Sequence, residues 1–228
     1  MVNKLVFFFF LFFVNSFYPL VIYAVTDDST PIIISIAGGS GAGKTTFAKN
    51  LASSLGEKAI VINQDDYYKD LSHLPIEARR KINFAHPSAL DFTLLIKHLK
   101  ALKSNMVIEK PLYDFTIHSR KKLTKPVVPK PIIILEGVLL FSIPEIRELS
   151  DIKLFIEAPS ELRILRLVTR DISERKRTLN FVTAQYINHI YPVERKIILP
   201  SKKYADLIIP NGGKNKIALQ ILVEKLNK

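Results

Sequence analysis

Residues 31–55 read PIIISIAGGSGAGKTTFAKNLASSL, an apolar β-branched run that breaks into a glycine-rich turn and resumes as an amphipathic stretch. Within it Gly38, Gly43, Lys44 and Thr45 satisfy the spacing G-x-x-x-x-G-K-[ST]. Glycines so placed let successive backbone N–H groups turn inward around phosphate oxygens, and the helix that follows adds the positive end of its dipole. This reading gives Gly38, Gly39, Ser40, Gly41, Ala42, Gly43, Lys44, Thr45 and Thr46 a triphosphate to hold. Lys44 supplies a point charge to the β- and γ-phosphates, and Thr45 a hydroxyl to Mg²⁺. An accidental glycine turn bearing a lysine would need neither a strand before it nor a helix after it, and both patterns are here.

Working outward, 228 residues that are 48% hydrophobic leave room for one sizeable α/β domain rather than two. The formal net charge of +12 suits a protein that handles polyanions, whether nucleic acid or a phosphate-bearing small molecule. With no cysteine, disulfides, thiolate metal sites and cysteine nucleophiles are excluded.

Residues 1–29 form a separate hydrophobic extension, and residues 30–228 carry the domain pattern. MVNKLVFFFFLFFVNSFYPLVIYAV has the look of a signal peptide or a marginal anchor through residues 5–25. Export would part a triphosphate-dependent domain from its nucleotide, and the charges of Lys4, Asp27 and Asp28 orient the domain to the wrong side. Three resolutions stand: translation that begins near Val25, an anchor of unusual topology, or a targeting peptide to a compartment that holds ATP. The expected location is cytoplasmic, with the membrane as the alternative if the segment is real.

Beyond the first helix, Ala59–Ile62 reads as a strand that delivers Asp65 and Asp66 at its carboxyl end, where open α/β sheets place their chemistry. A polar segment from Lys69 to Pro87 precedes a helix with Leu94, Leu95, Leu99 and Leu102 on one stripe, His98 lying toward its surface. Val107 to Lys130 suggests an extended hairpin. Ile132–Leu135 is a fully apolar strand ending in Glu136, where an ionised carboxylate is costly unless it serves a cation or strong donor. Strands at Ile152–Ile156 and Ala205–Ile209 bracket a basic helix from Glu161 to about Lys176, and a last helix closes the chain. The alternation predicts a central parallel sheet flanked by helices. Arg163, Arg166 and Arg170 recur at i, i+3 and i+7, a face that reads either as solvated charge or as a lid that neutralises a transferring phosphoryl group.

Together GGSGAGKTT, QDDYYKD, HPSALD, PLYDFTIHSR, ILEGVLLF, RDISERKR and PSKKYADLIIPNGG resemble, in order from about Ile32 to the C-terminus, the uridine kinase family of P-loop kinases. The resemblance implies a P-loop fold with a hairpin and helical lid over the acceptor site, ATP or GTP as donor with Mg²⁺, and transfer to the 5′-hydroxyl of uridine or cytidine. It implies Asp65 as general base beside Lys44, with Arg170 and Arg175 as lid residues; the loop spacing and the end of the apolar strand already mark Thr45 and Glu136 as metal-side oxygens. Tyr68, Tyr113, His118, Arg177 and Gln185 would face the acceptor, and a homotetramer is the implied assembly.

The chain departs from the family pattern twice. N-[FY]-D-H-P stands here as Asn83-Phe84-Ala85-His86-Pro87, and the usual arginine pair before the RD dipeptide stands as Arg166-Leu167. By resemblance, the missing carboxylate and guanidinium would grip the ribose hydroxyls. Loss of both members of a charged pair costs a fold little, whereas loss of one strands the other. Lys176 also occupies a usual glycine position. The expectation is intact phosphoryl transfer with altered acceptor recognition. The alternatives are a kinase of another small hydroxyl metabolite, a nucleotide-binding regulator without turnover, and a nucleic-acid module, for which no motif accompanies the charge.

Overall fold

The computed structural model describes residues 30–227. The hydrophobic extension, residues 1–29, therefore lies outside the described residues.

Strands β1 (Ile32–Ala37), β2 (Ala59–Asn63), β5 (Ile132–Glu136), β6 (Ile152–Ile156) and β7 (Leu207–Ile209) form one sheet in the order β2-β5-β1-β6-β7, every pairing parallel. Alternate residues of each strand feed two cores. Ile33, Ile133, Leu135 and Phe155 pack on one face with α3 (Phe92–Lys103) and α4 (Pro144–Leu149). Ile34, Ile36, Ile134 and Leu154 pack on the other with α1 (Lys44–Leu55) and α9 (Lys216–Leu226). Burial on both faces is why β1 and β5 read as unbroken apolar runs instead of alternating ones. Each isoleucine buried this way contributes about 1.5–3 kcal/mol.

Register aligns the strand ends that matter. Glu136 stands opposite Ile36 and Asn63, so the carboxyl ends of β1, β2 and β5 meet at one edge. The second sheet is the antiparallel hairpin β3 (Ile108–Asp114) and β4 (Ser119–Val127). It joins no strand of the main sheet and is clamped to the turn after β2. Lys110 ion-pairs with Asp66, Ser119 Oγ donates to Asp70 at 2.8 Å, and Arg120 donates to the carbonyls of Tyr68 and Tyr67 at 2.6 and 3.2 Å.

Several boundaries differ from the sequence reading. The basic helix α5 spans Ser160–Ser173, ending before Lys176, which takes a left-handed φ of 56° that a glycine adopts without cost. The last strand starts at Leu207 rather than Ala205, and a short helix α2 (Ile76–Arg80) interrupts the polar segment. His98 is not simply a surface residue of α3, since its Nδ1 lies 3.0 Å from the hydroxyl of fully buried Tyr67.

After α5 the chain makes one long helical arm: α6 (Leu179–Gln185), a π-turn at Tyr186–Ile190, α7 (Tyr191–Val193), a second π-turn at Glu194–Ile198, and α8 (Leu199–Ser201). Pro192 and Pro200 each follow a π-turn by two residues. A proline ring clashes with the carbonyl four residues back, and widening the preceding turn relieves that clash without breaking the helix.

Candidate functional site

The glycine-rich loop bridges β1 and α1 as its spacing requires, with Gly38, Gly41 and Gly43 at φ 146°, 75° and 97°. Lys44 is buried, and its Nζ donates to the Gly39 carbonyl at 3.0 Å. Burial pulls the Lys44 ammonium below the ordinary lysine range, while the Glu136 and Asp65 carboxylates oppose that shift. Thr45 Oγ1 donates to Glu136 Oε1 at 2.8 Å, which brings a hydroxyl and a carboxylate from 91 residues apart together at the mouth of the loop. Burial raises Glu136, and Lys44 is the main counterweight. Two oxygens so disposed fit a Mg²⁺ that keeps most of its waters and takes the rest of its ligands from phosphate. Among the described residues no group of three or more carboxylates and imidazoles could hold a metal without a substrate.

A cavity of about 710 Å³ opens from the loop and brings together Lys44, Thr45, Asp65, Glu136, Arg170 and Arg175. Tyr68, Tyr113, His118, Arg177 and Gln185 line the same cavity, as do Ser40, Gly41, Gly43 and Thr46. Gly38, Gly39 and Ala42 support the loop from behind instead of lining the cavity, and Ala42 belongs to the core. Of the paired aspartates only Asp65 reaches the cavity, since Asp66 is spent on Lys110.

Three arginines, one in the last turn of α5 and two just beyond it, converge on one carboxylate. Asp171, almost fully buried, accepts from Arg170 Nε and Nη2 at 2.9 and 2.8 Å and from Arg177 Nη1 at 2.8 Å, with Arg175 Nη1 at 3.4 Å. One negative charge set against three positive ones leaves a surplus of positive charge where a transferring phosphoryl group would need it. Arg175 also lies over the Phe115 ring at 4.4 Å and Arg177 over Phe181 at 5.5 Å.

The far wall is aromatic. Tyr68 meets Tyr113 at 5.0 Å and Phe84 at 5.5 Å between ring centroids, and Phe84 stacks on His118 at 4.9 Å and 19°. Such a slot suits a planar heterocycle. His118 is buried rather than a surface histidine, and burial, with Arg177 and other arginines nearby, pushes its imidazole down to about 4, so it is neutral at pH 7. The buried Tyr113 hydroxyl has no hydrogen-bond partner among the described residues, an arrangement that is costly unless a ligand supplies one. Ala85 and Leu167 both border this cavity, and Leu167 is 2% exposed.

Sequence reasoning put Arg163 on the arginine face of the lid. The structure instead buries it behind the phosphate loop against Glu194. Asp171 carries no role in the sequence pattern, and its one signal there is an acidic residue directly after Arg170 in a basic stretch. Gly213 ends the PSKKYADLIIPNGG motif. It packs so closely on Gly43 that a Cβ there would collide with the Gly43 carbonyl.

A profile of the Phosphoribulokinase / Uridine kinase family matches residues 33–218. A uridine kinase of Bacillus cytotoxicus is 50% identical over 197 residues, which is 86% of this chain and 93% of that protein. A uridine kinase of Bacillus cereus strain AH187 is 49% identical with the same coverage. Among solved structures, a possible uridine kinase from Bacillus stearothermophilus superposes with a TM-score of 0.59 at 20% identity, covering 81% of this chain and 91% of that one. That last likeness concerns the fold alone.

Proposed function

Since the chain belongs to the phosphoribulokinase and uridine kinase family and is a phosphotransferase of the P-loop kinase fold, we propose that it moves the γ-phosphoryl of ATP or GTP to the 5′-hydroxyl of a pyrimidine nucleoside. The observation that carries this reading is a single cavity lined by the phosphate loop, Asp65, the lid arginines and an aromatic slot. Asp65 accepts the proton of the attacking hydroxyl as the new O–P bond forms and the bond to the β-phosphate oxygen breaks. Lys44 and the arginines gathered by Asp171 stabilise the charge spread over the transferring group, which is the larger part of catalysis in this chemistry. Thr45 and Glu136 are the residues that would hold a Mg²⁺, which would supply positive charge against the phosphates when bound.

Acceptor recognition differs from that of a hydroxyl-gripping site. Ala85 and Leu167 give the cavity apolar surface at the two positions where the family resemblance expects a carboxylate and a guanidinium. A site built to bond a hydroxyl rejects the analogue lacking it by orders of magnitude, and a site without those partners does not. The acceptor is therefore a uridine- or cytidine-like nucleoside whose sugar hydroxyls are weakly read. The reading also takes the chain as a homo-oligomer that works in the cytoplasm, where its donor is. No helix among the described residues is long and apolar enough to cross a membrane.

The test is ADP release by the full chain with uridine, cytidine, 2′-deoxyuridine, 2′-deoxycytidine and small alcohols. Turnover of both ribo- and deoxynucleosides is expected. Efficient uridine turnover with deoxyuridine rejected by orders of magnitude would sink the weak-reading idea. Turnover of small alcohols alone favours another metabolite kinase. Nucleotide binding without any transfer favours a regulatory protein, for which an intact loop beside an altered acceptor wall is the motivating feature.

A further inference from the structure

We infer that Arg163 and Glu194 form a positioning pair that sets the phosphate loop and, through it, Lys44. Both side chains are buried, at 8% and 3% exposure. They meet fork to fork, Arg163 Nη1 to Glu194 Oε2 at 2.7 Å and Nη2 to Oε1 at 2.5 Å. Two further donors go to backbone carbonyls, Nε to Ala158 at 3.1 Å and Nη1 to Ser40 of the loop at 3.4 Å.

The loop is moulded on this pair. A Cβ on Gly39 would collide with the Arg163 guanidinium and crowd the Glu194 carboxylate, and a Cβ on Gly41 would collide with the Arg163 carbonyl. Gly39 is thus needed for the Arg163 side chain behind the loop, while Gly41 packs on the backbone of the same residue. The carbonyl of that same Gly39 accepts from Lys44 Nζ. A continuous set of contacts therefore runs from Glu194 through Arg163 and Gly39 to the ammonium that meets phosphate.

Two features of the backbone aim the pair. Glu194 opens the second π-turn of the helical arm, and π-turns redirect a side chain that a regular helix would place elsewhere. Arg163 lies in the first turn of α5, seven residues or about 10 Å before Arg170 on the same rigid rod. Donor loop and lid arginines are thereby held in one frame. A buried ion pair adds little net stability over an apolar pair of similar volume, so a geometric role accounts for this one better than a stabilising role.

The experiment uses the full chain and three variants: Arg163→Lys, which keeps the charge and loses the fork; Glu194→Gln, isosteric but leaving Arg163 without its counter-charge; and Arg163→Met with Glu194→Met, which replaces the pair by apolar volume and is the least disruptive to the fold. A misplacement of about 1 Å costs on the order of 100-fold in rate. The expected result is kcat lower by about 10- to 100-fold and affinity for a fluorescent ATP analogue weaker by about tenfold, with acceptor KM within about twofold. The double methionine variant should melt near the parent and still be slow, a split that a purely structural brace would not give. Any folded variant that keeps parental kcat and nucleotide affinity overturns the inference, and the double methionine variant decides it if the single variants are insoluble. The inference rests on the phosphoryl-transfer reading. If the unsubstituted chain turns over no acceptor, that reading fails, and nucleotide affinity alone then decides the positioning role, with equal affinity in the variants overturning it.

Discussion

Ala85→Asp combined with Leu167→Arg puts a carboxylate and a guanidinium back on the acceptor wall, and the structure sets what each step should do. Leu167 is 2% exposed, so Leu167→Arg alone buries a cation without a dedicated partner, at a cost of about 3–5 kcal/mol. For a domain of this size that lowers Tm by about 6–20 °C. Ala85 is only half-buried, its N–H held by Asn83 Oδ1 at 3.0 Å, and Ala85→Asp alone should change stability by about 1 kcal/mol or less. Together the two side chains share the cavity, and coupling of about 0.5–3 kcal/mol should recover part of the loss. A charged hydrogen bond to a sugar hydroxyl is worth about 1.5–3 kcal/mol, or about 10- to 150-fold in kcat/KM. The assay is kcat/KM for uridine and 2′-deoxyuridine on parent, both single variants and the double, beside thermal melts of each. The double variant should gain its advantage on uridine alone. A folded double variant whose uridine-to-deoxyuridine ratio stays within about twofold of the parent refutes the reasoning, and so does a parent that already rejects deoxyuridine by more than about 100-fold.

Asp65→Asn should lower kcat by about 10²- to 10⁴-fold and change calorimetric affinity for MgATP far less, because its role is to accept the proton of the attacking hydroxyl. His118, followed by its ring proton shifts in NMR, should titrate near pH 4 in the folded chain and not near 6.5. Because the folded value lies below the unfolded one, its contribution to stability is intact above about pH 6.5 and is lost as pH falls toward 4. His118→Asn should remove that part of the pH dependence of Tm. Gly213→Ala drives a methyl into the Gly43 carbonyl and should cost about 1–3 kcal/mol, read by thermal melts, with weaker binding of a fluorescent ATP analogue. Parental values for both would contradict the close packing.

Much of the fold was legible because its signals are local. A strand, a glycine turn and a helix succeed one another within residues 31–55, and β5 is so apolar that Glu136 at its end stood out at once. What was not legible depends on pairing across long separations. Arg163 sits on the same helical stripe as Arg170, and periodicity cannot tell a buried arginine from an exposed one when its partner lies 31 residues on. The π-turns that bring Glu194 to it leave only an indirect trace, IYPV and ILPS eight residues apart. Asp66 looked as available as Asp65 until the hairpin supplied Lys110. The aromatic slot gathers Tyr68, Phe84, Tyr113 and His118 from three segments, and only the hairpin clamp brings them into stacking distance.

The sheet order has a consequence for how the chain comes into being. Strand β1 has no neighbour among the strands made soon after it: its partners are β5 and β6, and Ile32 waits for Ile132. β2 waits for the same strand. At roughly 5–20 residues per second, β1 is on the ribosome for roughly 5–20 s before β5 has even been synthesised. During that interval IIISIA is an unpaired, uncharged, strongly β-forming segment, the kind that other chains capture. The part of the molecule synthesised early, with the phosphate loop attached, is therefore the part that must be kept from aggregating longest, and β5 is the strand whose arrival ends the exposure of both β1 and β2.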